Sequence, residues 1–136
     1  MFQTKRIVEF ADTDMAGIVH FAEFFRYLEA AEHAYLRGCG VNVFLDWEGQ
    51  RLTFPRVSAS CDYVHPARFG DELTIEVSID RLGRTSARYA FTVLKGTELV
   101  AKGQITAVLC RVRDDRSLEP FPFPDALRDK LLQGPR

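Results

Sequence analysis

From Ala22 to Arg37 the chain reads AEFFRYLEAAEHAYLR, and no other stretch limits the fold so tightly. Ala, Leu, Glu and Arg are strong helix formers, and neither Gly nor Pro interrupts them. Phe24, Leu28, Ala31 and Tyr35 fall at the i, i+4, i+7, i+11 spacing of one helical face. Phe25, Tyr27, Ala30 and Ala34 widen that surface well past a stripe. A helix this apolar must be packed on most of its sides. Gly38 reads as the C′ glycine that ends it, with Arg37 in the last turn suiting the carbonyl end.

The period then changes from helical to alternating. After a connector holding Trp47, FPRVSASCDY, ELTIEVSID, RTSARYAFTVL and LVAKGQITAVLCRVR all read as strands. In the second, Leu73, Ile75, Val77 and Ile79 face one way, and Glu72, Thr74, Glu76, Ser78 and Asp80 the other. FGDE and LKGTE are turn-like, and RLGRT joins two strands closely enough for a hairpin or near-hairpin. Before the helix, QTKRIVEF is a further strand; at the end, PDALRDKLLQG is a short helix with Pro124 in its first turn. The expectation is an α+β domain spanning residues 1–136, one antiparallel sheet of five strands curled around the long helix. The outer face and edges of that sheet are left for a second copy of the chain.

Composition narrows the function. The 18 Lys and Arg residues nearly balance 19 Asp and Glu, with no run of like charge, which argues against a nucleic-acid partner. No apolar stretch has the length of a signal peptide or membrane span, so the expectation is a cytoplasmic protein without a membrane partner. Cys39, Cys61 and Cys110 lack metal-type spacing and read as small buried hydrophobes.

The segment FADTDMAGIVHFAEFF poses the chemical question, because Asp12 and Asp14 stand at the mouth of the helix amid phenylalanine. Three readings fit. Asp12, Asp14, Gly17 and Glu23 match the register of a calcium loop, although Ala16 removes an oxygen such a site needs and a strand precedes it instead of a helix. The two acids can instead shape a turn and cap the helix, with Gly17 supplying an unusual backbone angle. The third reading is catalytic. A helix N-terminus offers unbonded N–H groups that polarise a carbonyl, while a carboxylate looped across it attacks the carbon or takes a proton from water.

The stretch EFADTDMAGIVHFAEFFRYLEAAEHAYL, with YVHPARFGDEL further on, resembles the 4-hydroxybenzoyl-CoA thioesterase family of the hotdog fold. The similarity covers nearly the whole chain, and DTDMAGIVHF is its most specific part. The resemblance implies hydrolysis of an acyl-CoA thioester without metal or cofactor, in a homodimer or homotetramer with active sites at subunit interfaces. It places Asp14 as nucleophile or general base, Gly17 in the motif's glycine position, and Phe21 as the amide that binds the thioester oxygen. It also puts Arg84, Thr85 and Ser86 near the CoA phosphates; Arg has the fork geometry that suits phosphate oxygens.

His20 and Glu23 depart from the common pattern of that family. His20 is a candidate to orient the substrate or the leaving thiol, and Glu23 a candidate second acid or base. Two other functions stay open. An acyl-thioester dehydratase or hydratase would use His20 with Glu23, and a non-catalytic acyl-CoA binder would use neither. His33, in mid-helix, and His65, before Pro66, read as structural residues.

Overall fold

The computed structural model describes residues 1–136. It opens with β1 (Phe2–Ile7), a 3-10 turn (Phe10–Asp12) and the long helix α1 (Glu23–Gly38). There follow β2 (Phe44–Trp47), β3 (Gln50–Thr53), β4 (Arg56–Tyr63), β5 (Glu72–Leu82) and β6 (Ser86–Lys95). The chain ends with β7 (Glu98–Val108), β8 (Cys110–Val112), β9 (Leu118–Pro120) and α2 (Asp125–Gln133). Five strands form one antiparallel sheet in the order β1-β5-β6-β7-β4, and α1 packs against it. This is the sheet and helix expected from the change of period.

Alternation explains which side of the sheet is inner. Leu73, Ile75 and Val77 of β5 are buried, and the register aligns Ile75 with Val93 and Val93 with Ala101, all buried on the face that meets α1. The helix supplies Phe24, Tyr27, Leu28, Ala31, Tyr35 and Leu36. Leu28 sits so close to β7 that a Cβ on Gly103 would come within 2.6 Å of its Cδ1, so only glycine fits beneath the helix there. The helix is less uniformly covered than its sequence suggests: Ala30 is exposed and Phe25 and Ala34 half-buried. Its inner face also carries Glu32, fully buried and 2.8 Å from the Arg56 guanidinium.

Four features differ from the sequence expectation. The connector around Trp47 is a hairpin, β2–β3, closed by Glu48 and Gly49 with φ of 49° and 81°, the pair of left-handed residues that a two-residue hairpin turn requires. The last long strand breaks at Leu109, whose N–H donates to Thr85 O (2.7 Å), and its tail becomes β8. Together β2, β3, β8 and β9 make a second, four-stranded sheet. The C′ glycine is Gly40 (φ 77°), not Gly38. The Gly40 and Val41 amides bond back to the Arg37 and Leu36 carbonyls, while Gly38 stays helical and presses on Pro135. Pro124 precedes α2 as its cap residue instead of lying in its first turn.

Helix α2 closes the core at the β5–β6 hairpin end. Leu127 and Leu131 are buried, Arg128 donates to the Leu82 and Gly83 carbonyls, and the Tyr35 hydroxyl bonds Leu131 O. The opposite end, where α1 begins and β4 finishes, is open.

Candidate active site

Local chain geometry gives the two neighbouring aspartates different tasks. Asp12 turns inward and is 6% exposed; its Oδ2 accepts hydrogen bonds from the Tyr27 hydroxyl (2.8 Å) and the Glu9 N–H (2.9 Å). Burial first, and Asp12 second, push the Tyr27 hydroxyl far above the ordinary phenol range, so it remains a donor. Asp12 therefore ties the 3-10 turn to α1 and belongs to the frame.

After Asp12 the chain doubles back in a tight hairpin. Thr13 bridges Val19, the Asp14 N–H donates to Ile18 O (2.9 Å), and the Gly17 N–H donates to Asp14 O (3.0 Å). Met15, Ala16 and Gly17 form the loop, and Gly17 holds the left-handed φ of 79° that a three-residue loop needs at its last position. Nothing lies within 4 Å of a Cβ built there, so conformation and not space selects glycine. The Asp14 Oδ1 accepts the Ala16 N–H (2.8 Å), which steadies the carboxylate, and Oδ2 makes no hydrogen bond within the chain.

The hairpin is braced from outside. The Val19 N–H donates to Ala67 O (2.8 Å), and Ile18 bridges Arg68. Asp71 holds that bracing segment: one carboxylate oxygen accepts the Arg68 N–H (2.8 Å) and the other meets Lys95 Nζ (3.1 Å). The Arg68 amide, with Lys95 in support, keeps the Asp71 carboxyl below its ordinary range.

At the helix start the Glu23 N–H donates to His20 O (2.9 Å), and the Ala22 N–H donates to His20 Nδ1 (3.1 Å). The imidazole thus steadies the turn that leads into α1, and it stacks on Phe21 at 4.8 Å. The Phe21 and Phe24 amides make no hydrogen bond within the chain, leaving free donors at the positive end of the helix. Tyr63, the last residue of β4, donates its hydroxyl to Phe21 O (2.9 Å) and packs edge-on against Phe24. Burial pushes that hydroxyl up, so it too stays protonated.

These parts enclose a cavity of about 420 Å³, walled by Asp14, Phe21, Phe24, Tyr63 and His65 among aliphatic neighbours. A carbonyl held here can direct its oxygen to helix-start amides while a carboxylate stands by its carbon. Asp14 and Phe21 meet at this cavity, and Gly17 shapes the turn between them. His20 and Glu23 lie close by but do not line it; Glu23 is half-buried, 3.9 Å from Arg26. No group of three or more His, Cys, Asp or Glu side chains is placed to hold a metal ion. The cysteines are all unpaired, and burial raises each thiol, Cys39 to about 11.

Arg84, Thr85 and Ser86 sit in the β5–β6 hairpin at the far end of the sheet. Ala87 and Val93 of β6 mark the two ends, six residues and roughly 20 Å apart. One chain therefore does not bring this hairpin to its own cavity. Tyr63 and His65 both lie in YVHPARFGDEL, but nothing local in that segment shows that β4 ends against the helix start.

Comparison with known proteins identifies the family and the fold. The sequence profile of the Thioesterase-like superfamily matches residues 8–131. A 1,4-dihydroxy-2-naphthoyl-CoA hydrolase from Synechococcus elongatus is 32% identical over 132 residues, covering 96% of this chain and 94% of that protein. Among solved structures, a 1,4-dihydroxy-2-naphthoyl-CoA thioesterase from Synechocystis superposes with a TM-score of 0.82 at 23% identity, over 96% of this chain and 95% of that one. A gentisyl-coenzyme A thioesterase gives 0.82 at 25% identity, over 96% and 99%. The fold is the hotdog fold.

Proposed function

The chain belongs to the thioesterase-like superfamily, and from that premise we propose that it is an acyl-CoA thioesterase, releasing a carboxylic acid and free CoA. One observation carries the reading: the free Oδ2 of Asp14 and the unbonded amide of Phe21 belong to residues on one apolar cavity. The thioester oxygen lies on the Phe21 amide, where the helix terminus stabilises the charge that develops in the transition state. Asp14 attacks the carbonyl carbon or takes the proton of an attacking water; a thiolate leaves readily enough for so weak a nucleophile. The chemistry needs neither metal nor cofactor.

The acyl group we propose is aromatic. Phe21, Phe24 and Tyr63 offer flat apolar walls, and the similar proteins named above are 1,4-dihydroxy-2-naphthoyl-CoA and gentisyl-coenzyme A thioesterases. The working unit we propose is a homodimer or homotetramer. β4 is an edge strand with seven of its eight residues exposed, ready to pair with a second copy. An antiparallel pairing there carries the hairpin of one copy toward the cavity of the other, which gives Arg84, Thr85 and Ser86 their route to the CoA phosphates. His20 supports the site by holding the turn before α1, and Glu23 favours the positive helix end.

A panel of aromatic, short and long acyl-CoAs, read with a thiol reagent, tests this. Preferred release of CoA from aromatic thioesters is expected. Hydration of crotonyl-CoA without thiol release would indicate the dehydratase chemistry, and binding without turnover the non-catalytic role.

A further inference from the structure

His65 stands between β4 and the segment that braces the Asp14 hairpin. Two bonds fix it to β7: its N–H donates to Val100 O (3.2 Å), and its ring Nδ1 lies 2.9 Å from Leu99 O. A carbonyl oxygen can only accept, so Nδ1 carries the hydrogen, and in the neutral ring Nε2 keeps a lone pair. That nitrogen has no hydrogen bond within the chain, and His65 lines the same cavity as Asp14. The other two histidines are placed otherwise. His20 spends Nδ1 on the Ala22 amide, and His33 Nε2 lies 3.2 Å from Arg56, at the opposite end of β4 from Tyr63.

An imidazole held in one tautomer by a backbone carbonyl, its second nitrogen unbonded and its residue lining a reactive cavity, has what a general base requires. Asp14 needs such a partner. Once its carboxylate carries the acyl group as an anhydride it can no longer accept a proton, yet water must still be activated to free it.

We infer that His65 is the general base of this second half-reaction; the inference rests on the thioesterase reading above. In the first half-reaction an Asp14 oxygen bonds the acyl carbon, the C–S bond breaks, and CoA leaves as thiolate. Water then bonds the same carbon and gives one proton to Nε2 of His65. The bond to Asp14 breaks, returning its carboxylate and freeing the acid. His65 passes its proton to solvent, from which the departed CoA thiolate has already taken one, and the acid ionises.

His65→Asn tests the assignment, because the amide nitrogen can replace Nδ1 toward Leu99 while Nε2 is lost. Steady-state kcat should fall on the order of 10²-fold with KM held within roughly 3-fold. A rapid burst of one CoA per site should precede the slow phase, and added imidazole should speed that phase. 1,2,4-Triazole, similar in shape but far less basic, should not. Full turnover in His65→Asn, or slowing without a burst, overturns the inference while leaving the thioesterase reading intact. A wild-type protein that releases no CoA from any acyl-CoA overturns both. If His65→Asn lost its cooperative melt, His65→Gln would carry the same comparison.

Discussion

Tyr27→Phe is the most exacting test of how the site is framed. The side chain is fully buried, and its hydroxyl donates to Asp12 Oδ2 at 2.8 Å. A hydrogen bond to a charged acceptor contributes about 1.5–3 kcal/mol net. Asp12 keeps the Glu9 N–H at 2.9 Å, which places the loss at the low end, about 1.5–2 kcal/mol. The ring itself stays, with Arg6 over its face at 5.0 Å and Phe24 against its edge, so little packing is lost. For a chain of this size the loss lowers Tm by about 5–8 °C. Circular dichroism melts at neutral pH measure the shift, and urea unfolding should show a lower midpoint at unchanged m. Because the Asp12 carbonyl also accepts the His20 N–H at the base of the hairpin, turnover should fall only a few-fold well below Tm. A Tm within about 1 °C of wild type would refute the idea that this bond holds the hairpin to the helix.

Two further outcomes follow from the same frame. Gly17→Ala forces a Cβ into a left-handed φ of 79° with no clash around it, so stability should drop by about 1–2 kcal/mol, and Gly17→Asn should recover part of it; chemical denaturation decides. Asp71, whose folded pKa is lowered, lends stability that is complete above the unfolded carboxylate range and lost as pH falls through the folded value. Asp71→Asn should therefore flatten Tm against pH below about 4, and an unchanged acid slope would count against the Asp71 brace.

Much of this architecture was legible because single segments carried their own signal. The helix announced itself by composition and spacing, and β5 by strict alternation. Gly40 did not, since RGCGV holds two glycines and only the contact of Gly38 with Pro135 shows which one stays helical. The second sheet was hidden for a related reason. Its strands are three or four residues long, and its turn puts Glu48, not Asn or Asp, in the left-handed region. Asp14 and Phe21 could be named from one continuous motif. Tyr63 and His65 could not, because they reach the cavity only through the register of β4 on β7 and the packing of β4's end on α1.

The most direct measurement is thiol release by wild type and Asp14→Asn on the best aromatic acyl-CoA, with melts run in parallel. A fall in kcat of at least about 10²-fold at unchanged Tm is expected for loss of the reacting carboxylate. Comparable turnover in the two proteins would contradict the role of Asp14 in the reaction.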